Sequence, residues 1–343
     1  MILVTGGTGL VGSHVLFDLC KLGKPVRALY RPNSDRELVK KIFSYYSPDF
    51  EKLYALVEWV EGDITDVLSI EDAMKGVEYV YHCAALVSFN KRDREKLEKI
   101  NVEGTANIVN ACLDANIKKL CYVSSVAALG KGEENKLLDE NSKWTHEEDV
   151  ANYSISKHLA EQEVWRGSEE GLNVVMVNPC VILGPHNWNI GSTVLFKNMY
   201  NGLKYYTNGS NAIVDVRAVS NAMIQLMESE ISAERFLVIT ENIKFKSFCD
   251  KIAIAMNKKP PTKEVTKFMG GIARRFEAMR AKFSGTQPRI TKETLSAAFK
   301  NFSYNSEKIK KALPGINLGS TDDAIRNAVG FFERNYYENR REI

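Results

Sequence analysis

The sequence has almost no excess of charge of one sign: 46 Lys and Arg stand against 43 Asp and Glu, a formal net charge of +3. No block of like charges appears, so the balance gives no argument for a nucleic-acid partner. Long apolar runs are missing too; none approaches the roughly 18 to 20 residues that a membrane-crossing helix needs. Cysteine is sparse and scattered, at Cys20, Cys83, Cys112, Cys121, Cys180 and Cys249, with no Cys-x-x-Cys spacing. That predicts reduced core thiols rather than disulfides or metal ligands. His82 has no second ligand at metal spacing and is read as a packed or hydrogen-bonded residue. Repeats and low-complexity segments are not evident. An apolar strand begins at Met1, which leaves no room for a signal or transit peptide, and the expected location is the cytoplasm. What is present, 44% hydrophobic and 26% charged residues over 343 positions, is the composition of a soluble globular protein. The length suits one large domain, or a domain with a smaller lobe.

The most informative stretch is the first, Met1-Ile2-Leu3-Val4-Thr5-Gly6-Gly7-Thr8-Gly9-Leu10-Val11-Gly12. A short apolar run stops at a glycine-rich turn and a helical pattern (Val11, Val15, Leu16, Leu19) follows at once. Gly6 permits the tight turn, Gly9 removes a side chain where a pyrophosphate would lie, and Gly12 lets helix pack on strand. An ordinary strand-to-helix turn is the competing reading. What favours dinucleotide binding is the position at the head of an alternating pattern. Strands are predicted at 25–31, 57–61, 77–83, 119–125 and 173–178, and helices at about 35–46, 69–74, 92–115 and 146–167. This is βαβαβ twice over, the pattern of a Rossmann-like, doubly wound parallel α/β sheet.

In such sheets the ligand lies beyond the carboxyl ends of the strands. The second strand ends in Leu29-Tyr30-Arg31-Pro32-Asn33, with no carboxylate to accept a ribose 2′-hydroxyl. Arg31 would instead pair with a 2′-phosphate, so NADP(H) is favoured and NAD(H) remains the alternative; a solvated strand-end arginine is the bland reading. Asp63 and Ile64 could receive an adenine, or Asp63 could cap the helix that follows. Ala84, Ala85 and Leu86 offer small residues where backbone could approach a cofactor.

The chemistry rests on Tyr153 and Lys157, four apart and so on one helix face, with Ser125 at a strand end. A phenol of pKa near about 10 is a poor proton carrier at neutral pH. A lysine one turn away stabilises phenolate, can hold ribose hydroxyls as well, and Ser125 would hold the substrate oxygen. A Tyr-x-x-x-Lys pair alone arises by chance on many helices. Its combination with the glycine turn makes chance a minor explanation.

The set Thr5-Gly6-x-x-Gly9-x-x-Gly12, Ser125 and Tyr153-x-x-x-Lys157 resembles the extended short-chain dehydrogenase/reductase (NAD(P)-dependent epimerase/dehydratase) family. Within it, 26–31, Asn178-Pro179 and Gly184-Pro185 look most like the dihydroflavonol-4-reductase and 3β-hydroxysteroid dehydrogenase branch. The resemblance implies a Ser125-Tyr153-Lys157 triad. It also implies cofactor contacts at Thr5, Gly6, Thr8, Gly9, Leu10, Val11, Gly12, Asn101, Val123, Ser124, Tyr153, Lys157, Pro179, Val181 and Ile182, beside Arg31, Asp63, Ile64, Ala84, Ala85 and Leu86. A homodimer through the two long helices, 92–115 and 146–167, is a further family property. Two departures stand out. Val126-Ala127-Ala128 follows the serine where dehydratases carry an acidic pair, which argues against dehydration, and Ala218 stands where the family usually has Asp.

The resemblance also implies a smaller, discontinuous substrate lobe, with 1–184 and 212–240 forming the dinucleotide-binding domain and 185–211 and 241–343 the lobe. Asn208-Gly209 suggests a hairpin turn, and 213–216 and 234–239 look like strands returning to the main sheet. Phe89, Trp188, Phe196 and Met199 are candidate substrate contacts and suggest an apolar or ring-shaped substrate. The helix near 267–283 carries Phe268, Ile272, Phe276, Met279 and Phe283 on one stripe, amid Lys267, Arg274, Arg275, Arg280 and Lys282. Packing against the lobe is the first expectation for it; a flap over substrate or a basic helix on a membrane surface are the others. The reading as a whole is an NADP(H)-dependent reductase or dehydrogenase acting on a carbonyl or alcohol of a small molecule. A nucleotide-sugar epimerase with tightly held NAD is the alternative. A non-catalytic cofactor sensor is a third, and the retained Tyr-x-x-x-Lys pair speaks against it.

Overall fold

A computed structural model of the chain describes residues 1–129, 137–144, 150–284 and 291–337. Its centre is a seven-stranded parallel sheet built from β1 (Ile2–Thr5), β2 (Val26–Tyr30), β3 (Val57–Glu61), β4 (Tyr79–His82), β5 (Lys119–Val123), β7 (Val174–Pro179) and β11 (Glu234–Val238), in the order β11-β7-β5-β4-β1-β2-β3. Strands such as β1 and β5 are buried at every position, as the continuous apolar runs of a sheet covered on both faces require. Helices Leu10–Lys21 and Val216–Glu228 cover one face; Val67–Met74, Gly104–Asp114 and Asn152–Glu169 cover the other. The strand order reverses between β1 and β4, so a crevice opens there above the carboxyl ends.

Several elements differ from their sequence-based expectation. The helix expected at 92–115 is segmented: a 3₁₀ turn at Lys91–Asp93, one α-turn at Arg94–Leu97, a π-helical stretch at Glu98–Glu103, then Gly104–Asp114. A Cβ on Gly104 would come within 2.7 Å of Ile64 Cδ1, so glycine is what lets this helix lie against the sheet's third connection. The helix expected from His146 runs from Asn152 to Glu169; residues 146–149 lie outside the described residues.

The remaining strands are short. β6 (Leu137–Leu138) pairs with β14 (Ser303–Tyr304), and β9 (Tyr205–Tyr206) with β13 (Lys263–Glu264). β8 (Val181–Leu183) and β12 (Glu241–Lys244) flank β10 (Ser210–Asp215) in a separate three-stranded sheet. Two expectations fail here for one reason. Asn208-Gly209 is not a hairpin turn, because β9 and β10 pair with other partners, and β10 does not return to the main sheet as β11 does. Gly209 is needed for close approach instead: a Cβ there would lie 2.6 Å from the Ala298 carbonyl oxygen.

Candidate active site

The glycine loop is held from below. Gly6 follows β1 with φ +65°, and a Cβ on it would sit 2.6 Å from the Ala84 nitrogen. A Cβ on Gly12 would lie 2.2 Å from the Gly6 carbonyl oxygen, so the first helical turn rests directly on the loop. Gly9 is the N-cap of the Leu10–Lys21 helix and offers no side chain to it. Its Cβ position faces only the Gly6 oxygen at 3.2 Å and otherwise open space. The first-turn N–H groups therefore have no side-chain cap, and a bare cradle lies over them. These are the features a pyrophosphate needs, and the residues present fit a dinucleotide. His186 Nε2, 3.1 Å from the Thr8 carbonyl oxygen, ties the far rim of the crevice to the same loop.

The other strand ends fit less uniformly. Arg31 is exposed at the end of β2, its N–H donating to Ser34 Oγ. Arg36, which the sequence reading did not single out, stacks its guanidinium 4.3 Å over the Tyr30 ring beside it. Asp63 is not the helix cap: Asp66 caps that helix by accepting from Leu68 N–H, while Asp63 Oδ1 accepts from the N–H and hydroxyl of Thr65. Ile64 is buried against Gly104, with little surface left for a ring. Asn101, turned inward by the π-helical stretch, spends its amide on Leu86 N–H, the Leu86 carbonyl and Ser156 Oγ. It therefore shapes the Ala84–Leu86 segment rather than offering free hydrogen-bonding groups. Pro179 ends β7, and Val181 and Ile182, both half-buried, begin the second sheet.

Ser125, Tyr153 and Lys157 come together. The Ser125 hydroxyl lies beside the Tyr153 phenol and favours its ionised form, and Ser125 Oγ accepts from Ala127 N–H at 3.1 Å. Burial raises the Tyr153 phenol above its ordinary value, and the serine hydroxyl opposes part of that shift. Lys157, 1% exposed, donates to the Tyr122 hydroxyl and to the Val123 carbonyl at 2.9 Å. Burial pushes its ammonium down to about 7; Glu161, one turn along the helix, holds it from falling further.

Beneath these residues lie two buried networks that the sequence reading did not assign. The Thr105 hydroxyl lies 3.0 Å from His82 Nε2, His82 Nδ1 is 2.7 Å from Thr5 Oγ1, and the His82 ring stacks on Tyr122 at 5.4 Å. Burial depresses His82 to about 3, so the ring is neutral and acts as a strut between β1 and the lysine's partner. The second network centres on Glu161, fully buried, which accepts from Ser124 Oγ, Asn178 Nδ2 and Arg235. Asn178 Nδ2 in turn donates to the Ser125 carbonyl at 3.0 Å. Spacing carries one hint of this, since Glu161 stands four residues beyond Lys157.

On the substrate side, only Phe89 of the four candidates is at the site. It is 42% exposed and meets the Tyr153 ring edge-on at 5.5 Å. Trp188, Phe196 and Met199 are corrected to core residues. The latter two have no exposed surface, and Trp188 stacks on Tyr336 within a cluster completed by Phe331 and Phe332.

A dinucleotide cradle at a sheet's switch point, with tyrosine and lysine one turn apart beside it, defines an NAD(P)-dependent enzyme of the extended short-chain dehydrogenase/reductase type. Comparison with known proteins agrees. Residues 2–238 match the model of the NAD dependent epimerase/dehydratase family, and the chain belongs to that family. It is similar to a candidate dihydroflavonol 4-reductase of Synechocystis sp., 27% identical over 342 residues and covering 97% of this chain and 95% of that one. It is also similar to sterol demethylase protein B of Methylococcus capsulatus, 28% identical over 337 residues (96% and 97%). Among solved structures, gox2253 is 31% identical over 98% of both chains, with a TM-score of 0.80.

Proposed function

We propose that the protein is an NADP(H)-dependent reductase or dehydrogenase in which Tyr153, Lys157 and Ser125 act on a carbonyl or its alcohol. The observation that carries this reading is the placement of Tyr153 beside the Ser125 hydroxyl, with Lys157 one turn behind on the same helix, at the strand ends that also carry the glycine cradle. Ser125 and Tyr153 hold the substrate oxygen between two hydroxyls. In reduction Tyr153 gives its proton to that oxygen, and its raised pKa keeps the phenol protonated for the task. Lys157, when charged, stabilises the phenolate that remains. When bound, the nicotinamide supplies the hydride that the carbonyl carbon receives, or takes it back in oxidation. The glycine cradle would hold the pyrophosphate, and Arg31 with Arg36 would hold a 2′-phosphate. Phe89 beside Tyr153 supports a substrate with an apolar or ring-shaped body, as do the sterol and flavonoid names of the relatives.

The test is titration of the purified protein with NADPH and NADH, followed by turnover on ring-bearing aldehydes and ketones. The expected result is tighter binding of NADPH and consumption that Tyr153→Phe lowers by about 10²–10⁴-fold. Arg31→Asp should weaken NADPH by about tenfold or more while sparing NADH. The family description favours a second reading, a nucleotide-sugar epimerase with tightly held NAD. Co-purified NAD, with interconversion of a nucleotide sugar and no net cofactor consumption, would put that reading first.

A further inference from the structure

The helix Lys267–Ser284 is turned inside out relative to an ordinary surface helix. At about 100° per residue, Phe268, Met269, Ile272, Phe276 and Met279 fall on one arc about 100° wide. The structure exposes all five, from 39% at Ile272 to 77% at Phe268. Among the described residues of the helix the buried positions are Gly270 and Ala281, on the opposite side. Gly270 lies so near Leu295 that an added Cβ would come within 2.6 Å of its side chain. Small residues thus face the protein and the described large apolar ones face out, which corrects the expectation that Phe268, Ile272, Phe276 and Met279 pack on the lobe; the Phe283 side chain of the expected stripe lies outside the described residues. An orientation that leaves several phenylalanine and methionine side chains in water calls for something to cover them.

Charge selects the cover. The helix carries Lys267, Arg274, Arg275, Arg280 and Lys282 against one acid, Glu277. Glu277 lies toward the body side, half-buried, and accepts from Arg280. Arg275 and Arg280 lie on either side of the exposed stripe. A second copy docking by the same face would bring Arg275 against its equivalent and the Arg280–Glu277 pairs against each other, a contact of net positive charge with no acid to match Arg275. An anionic lipid surface answers both features: acyl chains take the stripe and headgroups meet the flanking arginines. Among the described residues no helix is long and apolar enough to cross a membrane, so the contact is one of lying on the surface. We propose that the Lys267–Ser284 helix is a docking face for anionic bilayers, through Phe268, Met269, Ile272, Phe276 and Met279 flanked by Arg275 and Arg280. It rests on no part of the catalytic reading.

The test is co-sedimentation of the intact protein with phosphatidylcholine vesicles, with and without phosphatidylglycerol. Binding is expected to the anionic vesicles and to weaken as salt rises. Phe268→Ser with Phe276→Ser should lower the partition coefficient by at least about a hundredfold, and Arg275→Glu by about tenfold or more. Because these side chains are exposed, the variants should keep the parent circular dichroism and thermal midpoint. Failure of the parent to bind anionic vesicles, equal binding to neutral ones, or indifference to the double serine variant would overturn the proposal. A parent dimer that the serine variant dissociates, without vesicle binding, would assign the face to a second copy instead.

Discussion

Lys157 is the residue whose setting has the most direct kinetic consequence. Burial brings its ammonium to about 7, and in the proposed mechanism the charged form is the one that stabilises a phenolate on Tyr153. Lys157 is charged below that value and neutral above it. The pH profile of kcat/KM reports groups of the free enzyme, so for carbonyl reduction it should fall as pH rises through about 7. Lys157→Met should abolish this limb and lower kcat/KM by about 10²–10⁴-fold; a limb that persists unchanged in the variant would assign the titration to another group. That Tyr153 and Lys157 share one helix face was legible in the sequence, because four residues on a helix put two side chains on one face. What the spacing did not show is where the ammonium rests, on Tyr122 and the Val123 carbonyl, since both come from a strand more than 30 positions away.

Among the elements, the loop between β1 and its helix is the most sharply constrained. Gly12→Ala would place a methyl 2.2 Å from the Gly6 carbonyl oxygen, which is backbone and cannot move without opening the cradle. We expect this variant to bind NADPH at least about tenfold more weakly, and to lose roughly 1–3 kcal/mol of stability in urea denaturation. Unchanged cofactor affinity would show that the loop does not hold the pyrophosphate. The roles of these glycines were readable because each depends on neighbours a few residues away. The helix expected at 92–115 shows the converse. Its apolar spacing suits a regular helix, but the turn at Glu98–Glu103 widens so that Asn101 can reach Leu86 and Ser156. Satisfying a buried amide outweighed regular helical pairing there, and periodicity carries no signal for that balance.

At the scale of the whole molecule, Glu161 joins the Tyr153 helix, the Ser124 strand end, Asn178 of β7 and Arg235 of β11. Removing its charge leaves Arg235 without its carboxylate partner, so Glu161→Gln should cost about 3 kcal/mol in chemical denaturation. Glu161 also holds the Lys157 pKa up, so the alkaline limb should move to lower pH in the same variant. A stability loss with no movement of the limb would restrict Glu161 to a structural role. The sequence by itself determined the parallel α/β sheet, the cradle and the Tyr153-Lys157 pair, because alternating apolar runs, glycine sterics and helical spacing are local properties of the chain. Tertiary structure alone decided that Trp188, Phe196 and Met199 serve a core, since their cover comes from Phe331, Phe332 and Tyr336. It decided, too, that β10 joins a second sheet and that the stripe beginning at Phe268 faces outward. An apolar side chain has the same composition inside or outside; only the surfaces brought against it by distant parts of the chain determine which face is left to water.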